Sequence, residues 1–70
     1  MPKTPVLNSK QVIKILKDRG FILDRINGSH HHFWNPESNR RTAVPYHNKD
    51  LPIGTLLAIL KEAGIEKEDL

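Results

Sequence analysis

The chain of 70 residues contains no cysteine and no long apolar segment. Without cysteine there can be no disulfide and no thiolate metal site, which fits a reducing cytosol. No apolar run approaches the ~20 residues needed to cross a bilayer. The polar, proline-broken start Met-Pro-Lys-Thr-Pro does not resemble a signal peptide. We therefore expect a soluble, cytoplasmic protein with no membrane contact.

Large aromatic side chains are also scarce, with one Trp, one Tyr and two Phe. A chain this short buries only about 60% of the surface that its unfolded form exposes, so its core must be thin. The length predicts a single domain over 1–70. Within it, 1–8 is predicted to be a loose lead-in, and 66–70 forms an acidic end.

The charges are unevenly distributed along the chain. Residues 1–49 carry nine Lys or Arg against three acids, whereas residues 50–70 carry two Lys against five acids. A basic body with an acidic end suggests an anionic partner that meets the first two-thirds of the chain. A merely solvated lysine surface would have the same composition, so charge alone does not decide between them.

Periodicity predicts two helices. Asn8 and Gln11 have the spacing of a capping box at the start of helix 1, predicted over 9–19. The second helix is predicted from an i, i+3, i+4, i+7 stripe and ends before Gly64, where a left-handed cap is expected. That stripe consists of Ile53, Leu56, Leu57 and Leu60.

Between the helices, β-branched and aromatic residues alternate with turn residues. They predict strands over 21–26, 29–34 and 40–45. The order α-β-β-β-α predicts an α+β, two-layer fold, in which a three-stranded antiparallel sheet has both helices on one face. The opposite sheet face would then stay partly wet.

The turn signal Asn27-Gly28 leads directly into three consecutive histidines. Since side chains alternate across a strand, His30, His32 and Trp34 should share one face, while His31 and Phe33 share the other. Phe33 is the better core residue, so we expect His30 and His32 on the open side and His31 partly buried in a structural role.

Three interpretations of these histidines are possible. His30, His32 and His47 could hold a metal ion, although a His-x-His pair alone is a weak signal. They could be structural. They could also perform acid–base chemistry or contact phosphates, because histidine titrates near neutral pH. A histidine on a basic surface suits cleavage of RNA, where the substrate supplies its own nucleophile, the 2′-OH.

Three separated motifs, in this order, closely resemble the HicA toxins, small mRNA interferases of toxin–antitoxin pairs. The resemblance extends from helix 1 to Ile65. The motifs are Gly28-Ser29-His30, then Val44-Pro45-Tyr46-His47, then Gly54-Thr55-Leu56 leading to Ile59-Leu60-Lys61-Glu62-Ala63-Gly64-Ile65.

The resemblance implies a fold like a double-stranded-RNA-binding domain, with ribonuclease activity on mRNA. The family's catalytic histidine maps onto His30, and its antitoxin, HicB, would cover this region. The chain departs from the family pattern at His32, where many members have an apolar or basic residue, and at Trp34, where many have a polar or basic one. His31, His32 and His47 are candidates for an auxiliary role. His30, His32 and Trp34 are the expected antitoxin interface.

Domains of this type contact RNA through the first helix, the hairpin loop and the start of the last helix. Those places, with the two arginines of strand 3, give the expected RNA-binding residues: Lys10, Lys14, Lys17, Asn27, Gly28, Ser29, Arg40, Arg41 and Lys49. The leading hypothesis is a metal-independent endoribonuclease that needs no cofactor. The alternative is a non-catalytic RNA-binding module of the same fold.

Overall fold

A computed structural model describes residues 6–70. It confirms the order α-β-β-β-α and the antiparallel three-stranded sheet. The elements are α1 (Ser9–Asp18), β1 (Ile22–Asn27), β2 (His30–Asn35), β3 (Arg40–Pro45), α2 (Ile53–Ala63) and a short 3-10 helix (Lys67–Asp69).

Helix α1 begins as predicted and ends one residue earlier than predicted. The Asn8 side chain accepts a hydrogen bond from the Gln11 backbone, and the Gln11 side chain accepts one from the Asn8 backbone, which completes the capping box. Leu7 and Asn8, which we assigned to the loose lead-in, pair with Leu51 and Asp50. Residues 1–5 lie outside the described part of the chain.

The predicted bounds of β1 and β2 were each one residue too early, whereas those of β3 were correct. Phe21 is buried, and its N–H bonds back to the Leu16 carbonyl, so it belongs to the end of α1 rather than to the strand. The two-residue loop is Gly28-Ser29, and Asn27 remains in the strand, paired with His30.

Strand β2 lies in the centre of the sheet, between β1 and β3. Its pairing with β3 is regular, from His30 opposite Pro45 to Asn35 opposite Arg40. Its pairing with β1 is interrupted by a bulge at Asp24, the extra residue between Leu23 and Arg25.

One core lies between the helices and one face of the sheet, as predicted. The strands contribute Phe33 and Val44 to it, and we call this side of the sheet the helix face. The other side, which carries His30, His32 and Trp34, is the open face. The helices contribute the remaining buried apolar side chains of this layer, among them Val12, Leu16, Leu56, Ile59, Leu60 and Ala63.

The predicted buried stripe of α2 was half wrong. Leu56 and Leu60 are buried, but Ile53 and Leu57 are exposed, and Ile59 and Ala63 take their places. Both sets have helical spacing, because every position from 56 to 60 is apolar. Packing on the sheet therefore selects which face of α2 is buried, which periodicity alone could not do.

Gly64 ends α2 with φ +73°, and the Ile65 N–H bonds to the Leu60 carbonyl, as expected for a left-handed cap.

Candidate active site at the hairpin end of the sheet

The tight β1–β2 hairpin determines where the first histidine lies. Gly28 has φ +62°, and Ser29 does not share the positive φ, the pattern of a two-residue type II′ turn. A Cβ on Gly28 would meet no atom within 4 Å, so the glycine is required by backbone conformation and not by space. The loop is exposed together with Asn27 and His30.

His30 is the first residue of β2 and lies on the open face between Asn27 and Pro45. It is exposed. Within residues 6–70, no side-chain hydrogen bond or salt bridge engages its imidazole. Both ring nitrogens are therefore accessible to a bound ligand.

His31 lies on the helix face, half-buried, as predicted. Its ring stacks on Tyr46, with centroids 4.6 Å apart and an angle of 11° between the planes. Offset stacking of this kind stabilises a fold by about 0.5–1.5 kcal/mol beyond area burial. The contact packs His31 against Tyr46 on the face of the sheet opposite to His30.

His32 shares the open face with His30, as the alternation predicts, and lies half-buried between Arg25 and Ala43. The two histidines are two positions apart on one strand, and the side chain of His32 is the less accessible of the two.

His47 is fixed through its backbone. Its N–H donates to the Ser9 hydroxyl (2.9 Å), and that hydroxyl donates to the His47 carbonyl (2.7 Å). The His47 side chain is exposed and lines an open surface cavity of about 680 Å³ with Lys49 and Thr55. Since His47 follows Pro45 by two residues, and Pro45 pairs with His30, both histidines lie at the same end of the sheet.

The three-histidine metal site that the sequence allowed does not form among the described residues. Nowhere within 6–70 do three or more His, Asp or Glu side chains converge closely enough to hold a metal ion. Of the three candidate ligands, His30 and His32 share the open face of β2, whereas His47 lies in the loop after β3.

A match to a protein-family model bears on this arrangement. The model described as "HicA toxin of bacterial toxin-antitoxin" matches residues 9–65. The chain belongs to the HicA toxin family. The matched range contains both helices, the whole sheet and all four histidines. No curated protein matches the chain.

Family membership makes this HicA chain a toxin of a toxin–antitoxin system, and it implies an antitoxin partner. Among residues 6–70, neither helix combines the length and the hydrophobicity of a membrane-spanning segment.

Trp34 of this HicA toxin lies half-buried on the open face, four residues along β2 from His30. Its indole N–H donates to the Asn39 side chain (3.1 Å), and the Arg41 guanidinium lies over the ring, 5.4 Å from the centroid. Arg41 also bonds to Asp24 across the sheet (3.3 Å). The indole is therefore held in one orientation before any ligand arrives.

The predicted RNA-binding residues fall into separate groups. Lys10, Lys14 and Lys17 are exposed on α1 at i, i+4 and i+7, with Lys14 also 3.9 Å from Asp18. Lys49 lies in the exposed loop after His47.

Arg40 and Arg41 point to opposite sides of the sheet. Arg41 is on the open face with Trp34, whereas Arg40 extends over the end of α2, where it bonds to the Glu62 carbonyl (3.4 Å) and lies against Gly64. Both arginines lie four to five residues along the sheet from His30, about 13–16 Å at 3.3 Å per residue.

Three contributors to this site were missed in the sequence. None of Ser9, Asn39 and Tyr46 was assigned a role in the site from the sequence, and Tyr46 appeared only within the motif Val44-Pro45-Tyr46-His47. The sequence does contain a signal for Asn39. Asparagine adopts positive φ more readily than most other non-glycine residues, and Asn39 has φ +58°. No local sequence pattern indicates the other two contacts, because each joins residues that are distant in the sequence: Ser9 with His47, and Tyr46 with His31.

Proposed function

We propose that this HicA toxin is a cytoplasmic, metal-independent endoribonuclease that cleaves mRNA, with His30 as the general base. The observation that carries the proposal is the position of His30: exposed at the lip of a tight hairpin, with an imidazole that no other described residue engages. Buried polar groups in a fold are nearly always hydrogen-bonded; the His30 side chain is neither buried nor bonded to another described residue, whereas the neighbouring His31 is half-buried and stacks on Tyr46.

In the proposed reaction, a neutral His30 nitrogen takes the proton from a ribose 2′-OH. The 2′ oxygen then attacks the adjacent phosphorus, and the bond from phosphorus to the 5′ oxygen breaks. The products are a 2′,3′-cyclic phosphate and a 5′-OH, which leaves after receiving a proton. Of the remaining histidines, His47 is the best candidate for that proton donor, because it is exposed and ends up beyond Pro45, the neighbour of His30.

RNA binding is proposed for the surface around the hairpin end. Lys10, Lys14 and Lys17 would contact one part of the backbone and Lys49 another. The start of α2 has Pro52 at its N-cap, with no side-chain hydrogen bond to the first-turn amides. Those amides and the helix dipole favour a phosphate at this position. Arg41 can extend the contact on the open face, while Arg40 receives the least support because it turns towards α2.

The antitoxin is proposed to be of the HicB type and to cover the open face around His30, His32 and Trp34. Trp34 offers a pre-oriented aromatic ring surrounded by polar groups, the arrangement of an interface hot spot. A partner that masks His30 while burying this ring would block catalysis by exclusion, and acidic residues on it would complement the basic surface.

The test is incubation of the purified chain with a long unstructured RNA, with and without EDTA. The proposal expects cleavage that resists the chelator and leaves cyclic phosphate ends, and cleavage slowed by about 10²- to 10⁴-fold in His30→Ala. RNA that is bound but stays intact would instead identify a non-catalytic RNA-binding module. Inhibition by EDTA would contradict metal independence.

A further inference from the structure

Strand β1 is the least covered element of the sheet. All six of its residues are exposed, and three of them are large apolar side chains: Ile22 at 50%, Leu23 at 46% and Ile26 at 56%. The helices pack over β3 and leave β1 at an open edge. An exposed apolar edge strand is a template for pairing with another strand, and proteins usually protect against it.

The bulge in β1 affects how another strand would pair with this edge. Leu23 is opposite Phe33 and Ile26 is opposite His31, so both lie on the helix face although they are three positions apart. In a regular strand, residues on one face are separated by an even number of positions. A regular partner strand must therefore place one residue opposite both Asp24 and Arg25, as β2 does, whereas a strand with the same bulge can place one residue opposite each.

A second copy of this chain carries the same extra residue, so each residue of one β1 strand can face one residue of the other. In an antiparallel pair of β1 strands related by a two-fold axis between Asp24 and Arg25, Leu23 faces Ile26 of the second copy on the helix face. Ile22 faces Asn27 on the open face. The bulges lie opposite each other, so both strands stay in register.

The same register also places opposite charges together. Asp24 of one copy faces Arg25 of the other, twice because of the two-fold symmetry. Both side chains lie on the open face, because Arg25 is opposite His32 and Asp24 bonds to Arg41. A carboxylate has acceptor sites for both arginines. A shift of the register by two residues would put Asp24 opposite Leu23 or Asn27 of the second copy and lose this match.

We propose that β1 is a self-pairing edge and that two copies of the toxin associate through it into one continuous sheet of six strands. Apolar pairing, the shared bulge and charge complementarity all select the same register. The two open faces then lie on the same side, since facing residues come from the same face of each copy.

The pairing has a consequence for the candidate site, which rests on the proposed function. Within one copy, His30 is opposite Asn27. In the proposed dimer, Asn27 faces Ile22 of the second copy, and Ile22 is opposite Trp34 within that copy. The two side chains are three strand spacings apart, about 14 Å. A single RNA strand crossing the sheet could contact His30 of one copy and the fixed indole of the other.

Self-pairing is tested without RNA, so its failure is separate from failure of the ribonuclease proposal. The full chain is used with His30→Ala in every sample, so that toxicity does not limit production. Sedimentation equilibrium should give a monomer–dimer equilibrium with Kd between about 10 µM and 1 mM, as expected for an interface below the standard size. A chain that stays monomeric up to about 1 mM overturns the proposal.

Charge reversal tests the register. Arg25→Glu places two acids opposite two acids and should raise Kd about tenfold. The double variant Asp24→Arg/Arg25→Glu restores opposite charges and should return Kd to within about threefold of the starting value. Lys61→Glu, the same charge change on the exposed side of α2, is the control and should leave Kd unchanged.

An equal Kd for Arg25→Glu, or no recovery in the double variant, overturns the assignment of the dimer to this edge. If the chain is monomeric and an added antitoxin slows amide exchange in β1, the edge belongs to that partner and the self-pairing proposal is wrong. Thermal melts of each variant establish that it is folded; β1 is exposed throughout, so large losses of stability are not expected.

Discussion

The two ends of strand β2 differ in what their polar side chains do. At the far end, Asn35 is buried and uses both ends of its amide: its oxygen accepts from the Glu37 and Ser38 N–H groups, and its nitrogen donates to the Arg19 carbonyl. At the hairpin end, His30 is exposed and engages no described side chain. Polar groups at the far end serve the fold, and those at the hairpin end are available to a ligand.

Neighbouring contacts extend the same division. Near the far end, Trp34 is held by Asn39, and Thr42 bonds to Glu62 (2.9 Å), which connects the sheet to α2. Near the hairpin end, Ser9 holds only the backbone of His47 and leaves its imidazole exposed. The hairpin end thus has a fixed backbone with unoccupied side chains, a combination that suits catalysis.

The largest expected effect is on catalysis at the hairpin end. His30→Ala should lower the cleavage rate by about 10²- to 10⁴-fold, the usual contribution of a positioned proton transfer. Its melting temperature should hardly change, because the side chain is exposed. Cleavage is measured on a long RNA at saturating enzyme.

The matched control for that variant is the adjacent histidine. His31→Phe keeps a ring on Tyr46 and should retain cleavage within a few-fold. If His31→Phe lost as much activity as His30→Ala, the assignment of the base to the open face would be wrong.

The next effect is on stability at the far end. Asn35→Ala leaves two N–H groups and a carbonyl without their partner, so it should cost about 1–3 kcal/mol of unfolding free energy. Urea denaturation measures the loss. Asn27→Ala, at the exposed hairpin end, is the control and should stay within about 0.5 kcal/mol. Equal losses at the two asparagines would contradict the division of the strand.

A third prediction separates binding from folding at Trp34. Trp34→Ala should weaken antitoxin binding by about 2 kcal/mol or more, roughly 30-fold, if the indole is a hot spot. The loss of stability should remain well below the 3–5 kcal/mol typical of truncating a buried aromatic residue. Phe33→Ala, on the helix face of the same strand, shows the buried case.

Isothermal titration with the co-expressed antitoxin and a thermal melt measure the two quantities for Trp34→Ala. Unchanged affinity together with a large loss of stability would show that Trp34 serves the fold, like Asn35, and would remove it from the interface.

The smallest expected effect concerns the basic surface. RNA affinity should fall with salt, and replacing one phosphate-contacting lysine should reduce the slope of log K against log salt by roughly 0.7–0.9. Lys10→Gln and Lys49→Gln are expected to behave so. Arg40→Gln, on the α2 side, should leave the slope unchanged, and an affinity independent of salt would argue against phosphate contacts altogether.

Much of this fold could be predicted from local patterns. Features that depend on neighbouring residues could be predicted from the sequence: the capping box at Asn8, the alternation along 30–34 and the strand 40–45. The bulge at Asp24 could not be predicted, because no residue type there requires it. The buried face of α2 depended on packing, since two apolar stripes with the same period overlap at Leu56 and Leu60.

The candidate site followed the same rule. The face of His30 came from the alternation, whereas the support of His47 by Ser9, across 38 positions, could not be predicted from either segment. Arg40 and Arg41 were grouped as one basic pair in the sequence, but a strand turns adjacent side chains to opposite faces. The difference between them became visible only when the partners on each side were known.

The hydrogen bonds between Ser9 and His47 also bear on the order in which parts of the chain fold. Both hairpins form from residues close in the sequence, whereas these bonds, with the Leu7–Leu51 pair beside them, close a loop that includes the whole sheet. Contacts between distant residues form late, because the entropy of closing the loop must be lost first. The segment that carries His47 and Lys49 should therefore become ordered last. A chain that is still being synthesised, or one that has lost its first helix, would have the hairpin of His30 but would lack the other side of the RNA-binding surface.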